Sequence, residues 1–266
     1  MSQADILFTP SAHTNKHSRT TYDHVFAGPS HEELDEFIIQ DPTEYKAAPL
    51  DDEKLRLMLA SAAFSVLSLA HQYDRIVGED TSGRYPALII GEAINGIRQH
   101  YGLEPAKRSF ISGKIPYKEQ PKWPYDSDEK MLIVTEYISS GGSSARVLGA
   151  VADRLMTMPD FLVIDGEPQN CGMTYGTIQR FIKGGGHVFT GDLSVAHKYV
   201  DNRLTFGPSD VWKGVVKDIG YAHADAAPYN EGGTYEHKAQ RGAVIDSRRY
   251  AKAFGRHIAN YYLQNR

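Results

Sequence analysis

Apolar positions along this chain follow two periods in turn, and the turns between them predict a succession of strands and helices. The longest periodic stretch is Asp51–Tyr73, where Leu55, Leu59, Ala62, Val66, Leu69 and Ala70 form one helical stripe. Pro49 precedes it, and Asp51, Asp52 and Glu53 suit the positive end of a helix dipole. Met58, Ala63, Phe64 and Leu67 carry the apolar surface around much of the circumference. Both sides of this helix are therefore expected to pack, in the core on the first reading and across a homodimer interface on the second. Short runs at Arg75–Gly78, Arg108–Ser112, Met131–Val134, Phe161–Asp165 and His187–Thr190 read as strands. The continuous apolar runs among them suit strands buried on both faces. Helical spacing separates the runs. It covers Pro86–Tyr101 (Ala87, Ile90, Ile94 and Ile97 or Arg98), then Val147, Leu148, Val151 and Leu155, then Tyr175–Lys183. Pro86 suits a first helical turn, where its absent N–H costs nothing; Gly102 ends that helix, and Gly184–Gly186 ends the third. Alternation of this kind predicts an α/β fold: a mainly parallel sheet with helices on both faces.

The two ends of the chain are less regular. Residues 1–50 hold His13, His17, His24 and His31, four prolines and little periodicity, and read as a weakly ordered arm or a wrap over the core. The histidine spacing matches no common metal-ligand pattern. Residues 51–195 form the expected α/β core and 196–266 an extension that completes the core or a hood. Within that extension Asp192–Leu204 and Val211–Asp218 carry mixed signals, and Ala222–Tyr235 is a small-residue loop. Ser247–Leu263 reads as an amphipathic helix with Tyr250, Phe254, His257, Ile258 and Tyr261 on one face.

Composition narrows the function classes. A chain of 266 residues, 41% apolar and 23% charged, is enough for one large α/β domain or a domain with a cap. A net charge of −4 gives no electrostatic footprint for nucleic acid. The single cysteine, Cys171, excludes an intrachain disulfide and a cysteine-built metal site. No apolar run approaches bilayer length, and the N-terminus lacks the basic and apolar regions of a secretory signal, so a cytoplasmic protein without membrane contact is expected.

Candidate chemistry centres on Lys130–Val151. The apolar run Met131–Val134 leads to Glu136. A loop of Ser139, Ser140, Gly141, Gly142, Ser143 and Ser144 follows, and then a helical pattern. A buried strand, a small-residue loop and a helix start make an anion site, because backbone N–H groups and the helix dipole point at the ligand and no side chain blocks its approach. The carboxylate just upstream stands where sugar hydroxyls could reach it, which favours a phosphorylated ribose.

This stretch resembles the phosphoribosyl-pyrophosphate loop of type I phosphoribosyltransferases: an apolar strand, two acids, two apolar residues, then a Thr/Ser–Gly loop opening a helix. Glu136, Ile138 and the loop from Ser139 to Ser143 match, whereas Thr135 replaces the first acid and Tyr137 an aliphatic residue. The resemblance extends to Asp74–Gly102, where Thr81, Ser82, Gly83 and Arg84 follow the first core strand, as the family's pyrophosphate loop does. Small residues with free N–H groups and one forked guanidinium suit that task. Between the two loops, Gly113–Lys130 is an aperiodic polar stretch with basic Lys114, Lys118 and Lys122, where the family carries a mobile loop that closes over the reacting centre.

The resemblance implies a Mg²⁺-dependent transfer of the phosphoribosyl group between phosphoribosyl pyrophosphate and a small nucleobase-like acceptor. It assigns the 5′-phosphate to Ser139–Ser144, a ribose hydroxyl to Glu136, pyrophosphate to Thr81–Arg84, and closure over the leaving group to Lys114, Lys118 or Lys122. A hood from the N-terminal arm and the region after about Ala196 would hold the acceptor, with Asp225, Tyr229, Asn230 and Glu231 as contacts. Two other expectations stand beside it. The missing acid at Thr135 suits a regulatory module that binds a phosphoribosyl ligand without turning it over. A sugar-phosphate hydrolase or nucleotide phosphatase would use Asp165 or Asp192 at strand ends. Phosphate-loop, G-x-S-x-G and His-Glu-x-x-His signatures are absent, which weighs against ATPase, α/β-hydrolase and zinc-protease chemistry.

Overall fold

Every residue from Met131 to Thr135 is buried, so the strand they belong to must be covered on both faces. The computed structural model of the chain describes residues 25–30, 32–40, 53–79, 84–111, 126–137, 147–149, 151, 155–165, 184–191 and 234–265. Its strands are Val25–Ala27 (β1), Arg75–Glu79 (β2), Lys107–Ile111 (β3), Met131–Tyr137 (β4), Asp160–Asp165 (β5) and Val188–Thr190 (β6). They form one sheet in the order β1-β6-β5-β4-β2-β3, with every neighbouring pair parallel. The helices are Asp35–Gln40 (α1), Glu53–Leu67 (α2), Arg84–His100 (α3) and Thr234–Gln264 (α4), and residues 147–149 and 151 are also helical.

The period-two alternation of the strands divides the apolar interior into two cores. Ile76, Leu132, Val134, Leu162, Ile164 and Phe189 pack against α2, α3 and α4. Val77, Ile133, Val163 and Val188 pack on the other face against Val147 and Val151. Helices thus cover both faces of a parallel sheet, as the alternating pattern predicts. α2 explains its own apolar circumference: Leu57 through Ala63 and Ser65 through Leu67 are all buried. Ser61 and Ser65 satisfy their hydroxyls on the carbonyls of Pro29 (2.6 Å) and Ala62 (2.7 Å). Packing within the chain accounts for both sides of this helix.

Several boundaries differ from the sequence pattern. β4 runs three residues past Val134, because Thr135 and Tyr137 continue the ladder onto Val163 and Asp165. α3 starts at Arg84, two residues before Pro86, so Arg84 and Tyr85 belong to its first turn and not to the preceding loop. Its other end is a Schellman turn. Gly102 has φ 68°, Leu103 N donates to Arg98 O (2.9 Å) and Gly102 N to Gln99 O (3.0 Å). α4 starts at Thr234, well before Ser247, at the point where Gly232 and Gly233 end the small-residue stretch. Its polar, Gly-containing first half hides the helical period. Residues 25–40 do wrap the core, but they also join it: β1 pairs with β6, and Leu34 and Phe37 are buried. The segments Tyr175–Lys183, Asp192–Leu204 and Val211–Asp218 lie outside the described residues.

Strand order fixes where a ligand can sit. From β2 the chain passes outward to β3, then returns to β4 on the other side of β2. β2 and β4 are neighbours, with Gly78 opposite Val134. In open α/β sheets such a reversal leaves a crevice outside the carboxyl ends of the strands, because the connections diverge there.

Candidate functional site

Two connections leave the reversal. β2 ends at Glu79 and α3 begins at Arg84, so residues 80–83 carry the chain from one to the other. β4 ends at Tyr137, and residues 138–146 lead to the helical residues from Val147 onward. The connections containing Thr81, Ser82 and Gly83 and containing Ser139, Ser140, Gly141, Gly142, Ser143 and Ser144 therefore emerge from adjacent strands at one edge. These nine residues themselves lie outside the described ones. So do Lys114, Lys118 and Lys122, in the stretch that follows the carboxyl end of β3, and so does Asp192. Glu136 and Arg84 are placed by their backbones, Glu136 one residue from the end of β4 and Arg84 at the start of α3.

The same edge brings up two acids that the phosphoribosyl reading leaves out. Glu79, taken from the sequence as the first loop residue, is the last residue of β2 and pairs with Ile111. Asp165, considered only for hydrolase chemistry, ends β5 opposite Tyr137. Glu79, Glu136 and Asp165 thus stand at or near the carboxyl ends of three consecutive strands, β2, β4 and β5. The signal for Glu79 was strand length, which becomes readable only once the partner strand is known. Thr135 is 1% exposed and paired with Val163, so it is an interior, uncharged position of β4.

Backbone contact closes the β1–β6 end of this edge. Gly28 N donates to Thr190 O (2.9 Å), and a Cβ on Gly28 would collide with the Ser61 carbonyl. A Cβ on Gly191 would lie 3.2 Å from the carbonyl oxygens of both Ile164 and Met58. Ser30 and Glu33 then fix the following turn reciprocally: Ser30 N donates to Glu33 Oε2 (2.7 Å) and Glu33 N to Ser30 Oγ (3.3 Å). Backbones therefore pack closely at that end of the edge.

The amino edge of the sheet is the competing location, since it concentrates buried charge. Asp160, fully buried, accepts hydrogen bonds from Tyr73 Oη (2.9 Å), Lys130 Nζ (2.8 Å) and the His187 amide (2.9 Å), with His187 Nδ1 at 3.1 Å. Burial, then the charge of Asp160 and its hydrogen bond, push the Tyr73 phenol well above its usual range. Arg75 grips Glu129 through Nε (2.6 Å) and Nη2 (3.0 Å), and Lys107 adds a third contact (2.8 Å). Burial alone would raise the Glu129 carboxyl, but the hydrogen bonds from Arg75 and Lys107 outweigh it and hold the group below its ordinary value. Arg98 donates to the carbonyls of His71 (3.0 Å), Tyr73 (2.6 Å) and Glu104 (2.6 Å). These charges are matched to one another across β2, β4, β5 and β6, so they clamp the strand starts and leave little capacity for a substrate.

No group of three or more His, Cys, Asp and Glu side chains that could hold a metal occurs among the described residues, and no described helix is long and apolar enough to cross a membrane. Comparison with models of protein families, with curated proteins and with solved structures finds no match to this chain.

Proposed function

We propose that the chain binds phosphoribosyl pyrophosphate at the carboxyl ends of β2 and β4 and transfers its phosphoribosyl group to or from a nucleobase-like acceptor. One observation carries the reading. Two small-residue connections, distant in sequence and each suited to a phosphate, leave neighbouring parallel strands at the sheet's topological reversal. A ligand with a phosphate at each end of a ribose needs two anion sites on either side of a sugar site, and Glu136 stands one residue from the end of β4.

In the reaction the bond between the anomeric carbon and pyrophosphate breaks, its electron pair leaves with pyrophosphate, and the acceptor's lone pair forms the new bond. The transition state carries oxocarbenium character on the ring. The backbone amides and hydroxyls of Ser139–Ser144 hold the 5′-phosphate and fix the ring's position. Glu136 accepts from a ribose hydroxyl, and its charge favours the positive character that develops on the ring. Thr81, Ser82, Gly83 and Arg84 hold pyrophosphate, and Lys114, Lys118 or Lys122 closes over it as negative charge builds up. Mg²⁺ would neutralise the diphosphate, taking most of its ligands from phosphate oxygens and water. The acceptor belongs to a hood formed by the N-terminal arm and the region after about Ala196.

A second reading rests on Thr135. An interior, uncharged residue at that position leaves β4 with one acid where the family has two, which favours a regulatory module that binds the ligand without turnover. Calorimetric titration with phosphoribosyl pyrophosphate and Mg²⁺, repeated with Glu136→Ala, tests the site. Mg²⁺-dependent binding that the substitution weakens supports it, and absence of binding to the wild-type chain removes it. Pyrophosphate release in a screen of base acceptors separates the enzyme from the module.

A further inference from the structure

One face of α4 carries a row of cations. Lys238, Arg241, Ile245, Arg248, Lys252 and Arg256 follow one another at steps of three or four residues, and Arg249 stands beside them. Steps of that length keep residues on one side of a helix. The row gathers six positive charges along about 27 Å of helix. The two acids of α4, Glu236 and Asp246, fall outside it. Arg248, Arg249 and Arg256 are exposed and Lys252 is partly exposed, whereas Ala251, Phe254, Gly255, Ile258 and Tyr262 form the buried face. Glu92 of α3, whose Cβ lies beside Gly255, directs its carboxylate to Arg108 (2.6 Å). The net charge of −4 conceals this row, which only the period of α4 brings together.

Four of the six cations are arginines, whose planar guanidinium forks match phosphate oxygens. We propose that this face of α4 docks the phosphate backbone of a nucleic acid strand, by charge and without reading its bases. A basic row along one helix is the electrostatic footprint of such a partner. Insertion into lipid needs an apolar stripe open to the bilayer, and that of α4 is committed to the core: Ala251, Phe254 and Ile258 are fully buried. A second copy of the chain would offer Glu32, Glu33, Asp35 and Glu36, all exposed. Those acids cover barely more than one helical turn, and Glu33 already accepts from the Ser30 amide (2.7 Å). A phosphodiester strand fits the length of the row, because its charges recur along the strand as the cations recur along the helix. Docking here does not require the phosphoribosyl site.

The experiment follows the fluorescence anisotropy of labelled oligothymidylate and oligouridylate with the full chain, at salt between about 50 and 200 mM. At about 0.7 per phosphate contact on a single strand, four to six contacts give log K against log salt a slope of about −3 to −4. Arg248→Gln with Arg256→Gln removes two exposed contacts and should make the slope shallower by about 1.4. Lys107→Ala, at a cation 58% exposed on β3, should leave it unchanged. The wild-type slope needs no variant, so it decides the matter even if the double variant fails to fold. Equal slopes for the two strands support contact with phosphates, and tighter binding of one names the source, DNA or RNA. No strand bound at low salt, or a slope that the two substitutions leave unchanged, would overturn the assignment. Binding to phosphatidylserine vesicles alone would do the same, as would self-association in sedimentation that the substitutions abolish with no strand bound. Displacement of the strand by one equivalent of phosphoribosyl pyrophosphate would also overturn it, because the strand would then occupy the phosphate connections and not α4.

Discussion

Gly78 and Val134 face each other across a parallel ladder, and the chain leaves their two strands in opposite directions. That one pairing makes two stretches far apart in sequence, residues 80–83 and 138–146, leave from the ends of neighbouring strands. It also brings Glu79 and Glu136 to the carboxyl ends of two adjacent strands, without any need for a shared sequence motif.

If the two connections hold different phosphates, their defects should be separable. Arg84→Ala should weaken pyrophosphate and phosphoribosyl pyrophosphate about tenfold, through loss of one forked, charge-assisted contact, and leave ribose 5-phosphate unaffected. Gly142→Asp should do the reverse, because a carboxylate in that loop repels the 5′-phosphate. Competition titrations with the three ligands check the pattern; parallel losses in all of them would mean that the connections do not form separate subsites.

The Arg75–Glu129 pair gives a prediction about stability and its pH dependence. Both side chains are buried, at 8% and 6% exposure, so removing one strands the other. Glu129→Leu alone should cost about 3–5 kcal/mol in urea unfolding, whereas Arg75→Met with Glu129→Leu should recover most of it. Lys107 is 58% exposed, and Lys107→Ala should change little. The folded-state pKa of Glu129 lies below its unfolded value. Its contribution is therefore fully present above the ordinary glutamate range and is lost as pH falls through the lowered folded value. Unfolding curves between neutral and acid pH should show a shallower acid loss for the double variant than for the wild type. Equal slopes would mean that Glu129 is not held in its charged form.

Contact between α3 and α4 depends on glycine. A Cβ on Gly255 would strike the Ile89 carbonyl and come within 2.7 Å of Glu92 Cβ. Gly→Ala inside a helix ordinarily gains up to about 1 kcal/mol. Here Gly255→Ala should lose about 1–3 kcal/mol, because two helix backbones must separate. Thermal melting gives the sign directly, and a rise in midpoint would show that the helices have room to spare.

Much of the local structure is legible in the sequence. Strands buried on both faces, such as those at Met131 and Phe161, write themselves as apolar runs. The end of α3 is announced by Gly102, because only a residue at ease with positive φ closes a Schellman turn there. Other features resist reading. Arg75 and Arg98 look like surface cations, yet both are buried, since their partners Glu129 and the carbonyls of His71 and Tyr73 come from other parts of the chain. β1 is three residues long and has no period of its own; it exists because β6 offers it an open edge.

By itself the sequence determined the α/β class, the positions of the five strands from Arg75 to Thr190, and the two small-residue stretches that follow β2 and β4. These depend on local periodicity, turn chemistry and the absence of side chains, which a few consecutive residues specify. Tertiary structure alone decided that β4 lies beside β2 and that β1 closes the far edge. Pairing between parallel strands joins residues far apart in the chain, and the hydrogen bonds that form it run between backbones that are alike at every position. Nothing within a single segment therefore names its partner. The choice is made by how α2, α3 and α4 pack on one face and the helix near Val147 on the other.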